Sequence, residues 1–509
     1  MKINVLEYFA ETVARYPDKT AVIDGESHIS FAELSNRSKK LSRAIAKQTN
    51  EVIRRPIAVY LPKSIHSVVS DIGIVYSGNA YMNLDVKTPV ARIHAILERI
   101  EPALVITDQA HETAINEIWG KEKLLAIDKL DFDAIHYTDT EISEALRPLI
   151  DTDSLCIINT SGSTGTPKGV VLNQRSFIDF TDWANDAMRF NEDEIMGCLS
   201  PIVFDIYSYE LCLMMSKSAT MVLLQESIAA FPARILQTLI ERKATFIFWV
   251  PTIMVNIANM GLLDKLTPNT LKTVWFAGEV FPTKQFNIWR RALPNVRFVN
   301  MYGPIEITLD CTHYLVERDL SDDEPIPIGC AMRNTDILLL NDENQLCAQG
   351  EEGELCVRGT SLAMGYYNNP EKTAAAFVQN PLNKAYPETI YRTGDIASIN
   401  GRGEIMFKGR KDTLVKHSGY RIELGEIEHV IINALKLVKN GCIVYDHDNK
   451  EIVFFYEDKT EKEVAVFRRE LIAVLPRYMI PTRYIFIAEM PRNTNGKIDR
   501  LKLKGMLHE

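Results

Sequence analysis

Short apolar runs alternate with stretches of helical periodicity over roughly the first 300 residues, the pattern of α/β layers around sheets with strong parallel content. Ala21–Asp24 and Ile57–Tyr60 predict strands, and Ser30-Phe-Ala-Glu33 predicts a capping box opening a helix that runs towards Ala46. Leu104–Thr107, Leu155–Asn159, Thr220–Leu224, Phe246–Val250, Thr273–Phe276 and Arg297–Asn300 are further β-rich runs between amphipathic segments. Thr245–Ala258 is the most apolar stretch, but it carries Pro251 in its middle and is shorter than the ~20 residues that span a bilayer. It predicts a buried strand turning into a helix at the proline. From about Asp336 the strands become closely spaced with glycine turns (QGEEGELCVRG, NGRGEIMFKGR), which predicts a small β-rich subdomain over 336–410. A large domain over 1–410 and a small α+β domain over 411–509 follow.

Composition narrows the classes. Hydrophobic residues make up 46% and charged residues 24%, which excludes disordered, collagen-like and coiled-coil chains. A net charge of −10 excludes a general nucleic-acid binder, whose non-specific affinity needs a basic surface. The charge is uneven. Residues 412–509 hold 16 basic and 15 acidic side chains against 41 and 52 in the remainder. Arg492, Lys497, Arg500, Lys502 and Lys504 crowd the tail, either as a solvated helix face or as a mobile lid that brings positive charge to a polyphosphate. The opening residues MKINVLEYFAETVARYP do not form a signal peptide, because Glu7 and Glu11 break any apolar core. The eight cysteines show no CxxC pair and no metal spacing, and most sit in apolar runs, which fits a reducing cytoplasm.

Thr160–Gly169 (TSGSTGTPKG) concentrates glycines, hydroxyls and one lysine. Glycines let successive N–H groups converge on an anion, hydroxyls add neutral donors, and Lys168 adds a charge. A Walker loop would need GxxxxGK followed by Ser or Thr and then a helix. Here Lys168 is followed by Gly169 and by an apolar strand, Val170–Leu172, so the loop is a nucleotide nest of another kind.

The loop resembles the signature of the adenylate-forming superfamily: acyl-CoA synthetases, luciferase-like enzymes and amino-acid adenylation domains. Further motifs match in the family's order. They are Ser77-Gly-Asn-Ala-Tyr81 with Asp85, Phe204-Asp205, Asn300-Met-Tyr-Gly-Pro-Ile-Glu306, Gly353-Glu-Leu-Cys-Val-Arg-Gly359, Tyr391-Arg-Thr-Gly-Asp395, Gly409-Arg-Lys-Asp412, Gly419-Tyr-Arg-Ile-Glu-Leu-Gly-Glu-Ile-Glu428 and Asn495-Gly-Lys-Ile-Asp499. Tyr-Gly-Pro-x-Glu and Asn-Gly-Lys-Ile-Asp resemble amino-acid adenylation domains more than fatty-acyl ligases. The chain's end soon after Lys497 is similar to stand-alone members such as D-alanine:carrier-protein ligase and the free-standing prolyl adenylation proteins.

The resemblance implies an AMP-forming ligase that uses ATP and Mg²⁺, with catalysis by positioned cations and donors rather than by a side-chain nucleophile. It makes Lys497 the central catalytic residue. Lys168 with Thr160, Ser161, Gly162, Ser163 and Thr164 would hold the β- and γ-phosphates, and Glu306 would bind Mg²⁺. Gly278, Glu279, Asn300, Met301, Tyr302, Gly303 and Phe407 would line the nucleotide site, with Tyr302 offering a flat face to adenine. Asp395 would accept the ribose hydroxyls with Arg410 beside it. Asp412 would be a hinge, and Gly419 would line the passage of a phosphopantetheine thiol from a carrier protein. Asp205 would pair with a substrate α-ammonium, between walls formed by Ile206, Tyr209, Phe248, Trp275, Ala277, Met301, Leu309 and Asp310. Such walls predict a small, mostly apolar α-amino acid, proline ahead of alanine, with Asp310 the dissonant residue. Two positions depart from the pattern. Ile305 replaces a hydroxyl residue, and Gln174 stands where many relatives carry His. An acyl- or aryl-CoA ligase and an inactive nucleotide-binding homologue are the alternative readings.

Overall fold

A computed structural model describes residues 2–160, 167–228, 230–411, 414–492 and 498–508. The chain forms two compact units, one of residues 1–86, 100–158 and 169–411, the other of residues 87–99, 159–168 and 412–509.

Among the described residues, nine strands of the first unit share a sheet in the order Cys330–Ala331, Thr312–Leu315, Arg297–Tyr302, Thr273–Phe276, Phe246–Trp249, Ile195–Cys198, Thr220–Leu223, Thr20–Asp24, Ser27–Ser30. The inner strands are parallel and antiparallel pairing is confined to the margins. A seven-stranded sheet runs Gly365–Tyr366, Lys168–Asn173, Ser154–Thr160, Ala80–Leu84, Pro56–Tyr60, Leu104–Thr107, Leu124–Ala126. Parallel strands need crossover segments, and helices covering both faces bury them twice over, so they read as continuous apolar runs.

Side-chain alternation divides the nine-stranded sheet cleanly. Phe246, Phe248, Trp275, Ala277, Val299 and Met301 lie on one face, in the same core as Phe177, Phe180 and Trp183 of the helix Gln174–Met188 and Ile206, Tyr207 and Tyr209 of the helix Asp205–Lys217. Ile247, Trp249, Val274, Phe276 and Phe298 take the opposite face and pack with the helices Pro232–Glu241, Pro251–Asn259 and Thr283–Ala292. Ile195–Cys198 has no alternation to announce it. A side chain at Gly197 would meet Leu239 Cδ2 at 2.4 Å, so glycine there lets the covering helix sit down on the strand.

The predicted helix after Ser30 spans Phe31–Thr49, with the Ser30 side chain accepting the Glu33 N–H at 3.2 Å. The Glu33 carboxylate lies 2.5 Å from Arg37, an i,i+4 ion pair. Pro251 occupies the first turn of Pro251–Asn259, where its missing N–H costs nothing. The strands Thr335–Leu340, Gly353–Gly359, Phe377–Gln379, Thr389–Ile399 and Ile405–Arg410 form an antiparallel sheet with its own core around Leu355, Val357 and Tyr391.

In the second unit, Leu414–His417 and Tyr420–Glu423 form a hairpin, and Asn440–Asp446, Glu451–Glu457 and Arg483–Phe486 form a three-stranded sheet packed with the helices Leu424–Glu428 and Val464–Ile472. Arg92 and Glu426 make a buried ion pair there. Among the described residues no helix is long and apolar enough to cross a membrane. The eight cysteines are free thiols, and six of them are buried.

Candidate active site

Tyr302 ends the strand Arg297–Tyr302, and Asp395 and Arg410 face each other across the antiparallel pair Thr389–Ile399 and Ile405–Arg410. The Tyr302 hydroxyl donates to one carboxylate oxygen of Asp395, and the Arg410 guanidinium donates to the other. Arg410 also donates to the Thr393 carbonyl at 3.0 Å, and the Asp395 N–H donates to Thr393 Oγ1 at 2.9 Å. The carboxylate is therefore fixed in direction and only 4% exposed. A carboxylate offers more acceptor sites than these two bonds use. Burial first, and then the charge of Asp395, push the Tyr302 hydroxyl well above its ordinary range, which keeps it a donor. Its ring lies 6.2 Å from that of Phe407. The Asn300 amide donates to the Pro327 carbonyl at 2.8 Å. Gly278 adopts φ +90° just past the strand Thr273–Phe276. The next residue, Glu279, accepts the Thr252 N–H at 3.1 Å and its hydroxyl, capping the helix Pro251–Asn259 from outside.

Glu306 sits on the turn Ile305–Ile307, fully buried. The Tyr366 hydroxyl donates to its Oε1 at 2.8 Å, and its carbonyl accepts the Ala363 N–H at 2.9 Å. Tyr366 belongs to the strand paired with Lys168–Asn173, so Glu306 is anchored to the edge of the seven-stranded sheet. No spacing in the sequence marks Tyr366 or Thr252 as partners, because the two bonds join residues 60 and 27 positions apart across several intervening elements. The chain then turns back through two left-handed residues, Thr308 (φ 53°) and Leu309 (φ 66°). Gly303 lies against this return, where a Cβ would meet the Leu309 carbonyl oxygen at 2.4 Å and Asp310 Cα at 2.5 Å. Thr308 Oγ1 is buried without a hydrogen-bond partner among the described residues.

Asp205 opens the helix Asp205–Lys217, with its carboxylate accepting the Ile206 N–H at 2.9 Å. Ile206 and Tyr209 continue the same helix, and Phe248, Trp275, Ala277 and Met301 lie on the sheet face it covers. Tyr209 and Trp275 stack at 5.4 Å and 12°, and Phe248 meets Trp275 edge-on at 5.3 Å. All of these walls are buried, as are Leu309 and Asp310. Gln174 is also buried, and its carbonyl accepts the Val5 N–H at 3.1 Å, binding the N-terminal segment.

In the second unit, Thr160 ends one strand and Lys168 begins the next. Lys168 is 8% exposed, with its ammonium 3.6 Å from Glu423, and Thr160 Oγ1 is a buried hydroxyl without a partner among the described residues. Ser161, Gly162, Ser163, Thr164, Asp412 and Lys497 lie outside the described residues. Gly419 (φ 84°) follows Ser418 (φ 52°) in a two-residue hairpin turn between His417 and Tyr420. Such turns need positive φ at both positions, and this by itself accounts for the glycine.

The Thr308 hydroxyl, buried without a partner among the described residues, the buried carboxylate of Glu306 and the carboxylate of Asp395 fit a nucleotide and a hard cation as a donor set.

A family model described as AMP-binding enzyme matches residues 9–367. Delta-poly-L-ornithine synthetase of Acinetobacter baumannii is 32% identical, aligning with 98% of this chain and 36% of its own length. Zwittermicin A synthase ZmaJ of Bacillus cereus is 30% identical, over 98% of this chain and 94% of its own. The Vibrio cholerae adenylation domain AlmE, solved in complex with glycyl-adenosine-5'-phosphate, shares the fold at a TM-score of 0.86 and 20% identity, over 100% of this chain and 98% of its own. The chain spans 36% and 45% of the first two curated relatives it matches. With a family model covering most of its length and a relative aligned end to end, the chain belongs to the AMP-binding enzymes.

Proposed function

We propose that this protein activates a small, mostly apolar α-amino acid as its aminoacyl-adenylate and passes it to the phosphopantetheine thiol of a carrier protein. The observation that carries this reading is the recognition wall. Asp205 presents its carboxylate at a helix N-terminus, and Tyr209, one turn along the same helix, stacks on Trp275. A carboxylate in a largely buried wall selects an acid that also bears an ammonium group, and a floor of stacked aromatics leaves room for a short side chain only. Proline and alanine are the first expectations. AlmE, with its bound glycyl-adenylate, is a fold relative whose amino acid is also small.

In the first step a substrate carboxylate oxygen attacks the α-phosphorus of ATP, and the bond to the β-phosphate breaks to release pyrophosphate. ATP would supply the AMP group, and a bound Mg²⁺ would neutralise phosphate charge. Glu306 is proposed as the cation ligand, with Tyr366 aiming it. Asp395 accepts the ribose hydroxyls, held by Tyr302 and Arg410. Thr160, Lys168 and the hydroxyls of Ser161, Ser163 and Thr164 grip the phosphates, and Lys497 stabilises the charge of the transition state. In the second step the thiol attacks the acyl carbon and AMP leaves, with Asp412 as hinge and Gly419 beside the thiol's path. Free thiols throughout the chain suit a cytoplasmic setting.

ATP–pyrophosphate exchange over a panel of amino acids tests the reading, and proline or alanine should give the strongest signal. Exchange only with basic or large aromatic amino acids would overturn the substrate class. AMP release that requires coenzyme A and a carboxylic acid without an amine would replace the reading with an acyl-CoA ligase.

A further inference from the structure

The helix that carries Asp205 is buried on nearly every side from Ile206 to Met215. Apolar packing is non-directional, so by itself it leaves such a helix free to slide or rotate by fractions of an ångström. Directional bonds help to set its position, and several come from the seven-stranded sheet and the helix Ile65–Tyr76.

Lys63, just past the strand Pro56–Tyr60, is 4% exposed. Its ammonium donates to three successive carbonyls: Cys198 at 3.1 Å, Leu199 at 2.9 Å and Ser200 at 3.2 Å. An ammonium has three N–H donors, and these carbonyls open the connector that leads from Cys198 to Asp205. Lys63 is itself held, since Gln225 donates to its carbonyl at 3.0 Å and to Asp24 at 2.7 Å. Further along the connector, Asn83 of the strand Ala80–Leu84 donates to the Ile202 carbonyl at 3.1 Å. The same Asn83 amide reaches Asp71 Oδ2 at 3.2 Å, and that oxygen accepts the Tyr207 hydroxyl at 2.8 Å. Tyr207 lies two residues beyond Asp205. The backbone is thus pinned at 198–200 and 202 and the side chain at 207, bracketing Asp205 on both sides. Buried carbonyls left without donors cost far more than their bonds gain, so the connector has one favourable position.

We infer that Lys63 and Asn83 are positioning residues for amino-acid recognition, acting from the seven-stranded sheet through the connector to place the Asp205 carboxylate. The inference rests on the reading of Asp205 as the partner of the substrate ammonium. Tyr302, Asp395 and Arg410 lie on other strands, Arg297–Tyr302, Thr389–Ile399 and Ile405–Arg410, so loss of the bracket is expected to act on the amino acid and not on the nucleotide.

The test is steady-state pyrophosphate exchange with the full chain, varying amino acid and ATP separately. Lys63→Met and Asn83→Leu should each raise KM for the amino acid by about tenfold while KM for ATP and kcat stay within about twofold. Lys63→Arg, which keeps donors for the carbonyls, should restore most of the loss. In an Asp205→Ala background, Lys63→Met should add little further, because the two act as one unit. If Lys63→Met protein does not accumulate, Asn83→Leu carries the same comparison. A large Asp205→Ala effect beside an unchanged amino-acid KM in Asn83→Leu and Lys63→Met would overturn the inference and leave the functional reading standing. Equal changes in both KM values, or full additivity with Asp205→Ala, would reduce the bracket to general stability and overturn it as well. An amino-acid KM indifferent to Asp205→Ala would defeat the functional reading and this inference with it.

Discussion

Asp71 is fully buried beside Asn83 and Tyr207. Burial pushes its carboxyl up to about 7, against the pull of the bonds from Asn83 and Tyr207. Burial likewise raises Glu210 to about 8, with the Lys63 charge drawing it back. An acid whose folded pKa exceeds its unfolded value of about 3.9 keeps a proton in the native state that the unfolded chain releases. Stability therefore falls as pH rises from about 4 towards 7, and above that window the penalty is constant. Asp71→Asn removes the titration. Its stability relative to the parent should improve across that window, by at most about 1.4 kcal/mol per pH unit, and then level off. Denaturant unfolding at a series of pH values reads this directly, and a difference that stays flat with pH would mean that Asp71 ionises normally in the fold. The sequence motifs did point to Asp205, Glu306 and Asp395, because each stands inside a local pattern. Asp71, Asn83, Lys63 and Tyr366 stand in none. Apart from Asn83 and Asp71, which are 12 positions apart, the partners in these bonds lie 60 to 137 positions away, and only folding makes them neighbours.

The site follows from two faces at the level of elements. Period-two alternation sends Phe248, Trp275, Ala277 and Met301 to the face covered by the helix Asp205–Lys217, and Trp249 and Phe276 to the other. A one-residue slip in any of these strands would replace the proposed pocket wall with core residues of the far side. Tyr209→Ala tests the floor. Losing a fully buried ring should cost about 3–5 kcal/mol of stability, visible as a lower unfolding midpoint. If the variant stays folded, it should accept leucine or phenylalanine in the exchange assay. An unchanged substrate range would place the selectivity elsewhere. Most of these strands were legible as apolar runs, and their observed limits fall within a residue or two of the expected ones. Ile195–Cys198 and Ala80–Leu84 were not, since glycine in the first and asparagine in the second interrupt the apolar pattern for reasons of packing and long-range hydrogen bonding.

For the molecule as a whole, charge is divided along the chain. The N-terminal 411 residues carry the acidic excess, and the C-terminal segment is close to neutral with a basic tail. Under the proposed mechanism Lys497 acts on the developing negative charge at the phosphate and not on ground-state binding. Lys497→Ala should then reduce pyrophosphate exchange by about three orders of magnitude or more, while calorimetric ATP affinity changes by only a few-fold. Unchanged turnover would remove Lys497 from the mechanism.

By itself the sequence determined the α/β layering, the positions of most parallel strands, the change to an antiparallel sheet near Asp336 and the family, because periodicity and motif spacing are local properties of the chain. Only the tertiary structure decided how Asp395 is aimed by Tyr302 and Arg410, how Glu306 is held by Tyr366, and how Lys63 and Asn83 reach across to the segment before Asp205. Hydrogen bonds between distant segments leave no periodic trace. Their direction exists only once two sheets have brought donor and acceptor within 3 Å or so, in an interior where an unmet bond is costly.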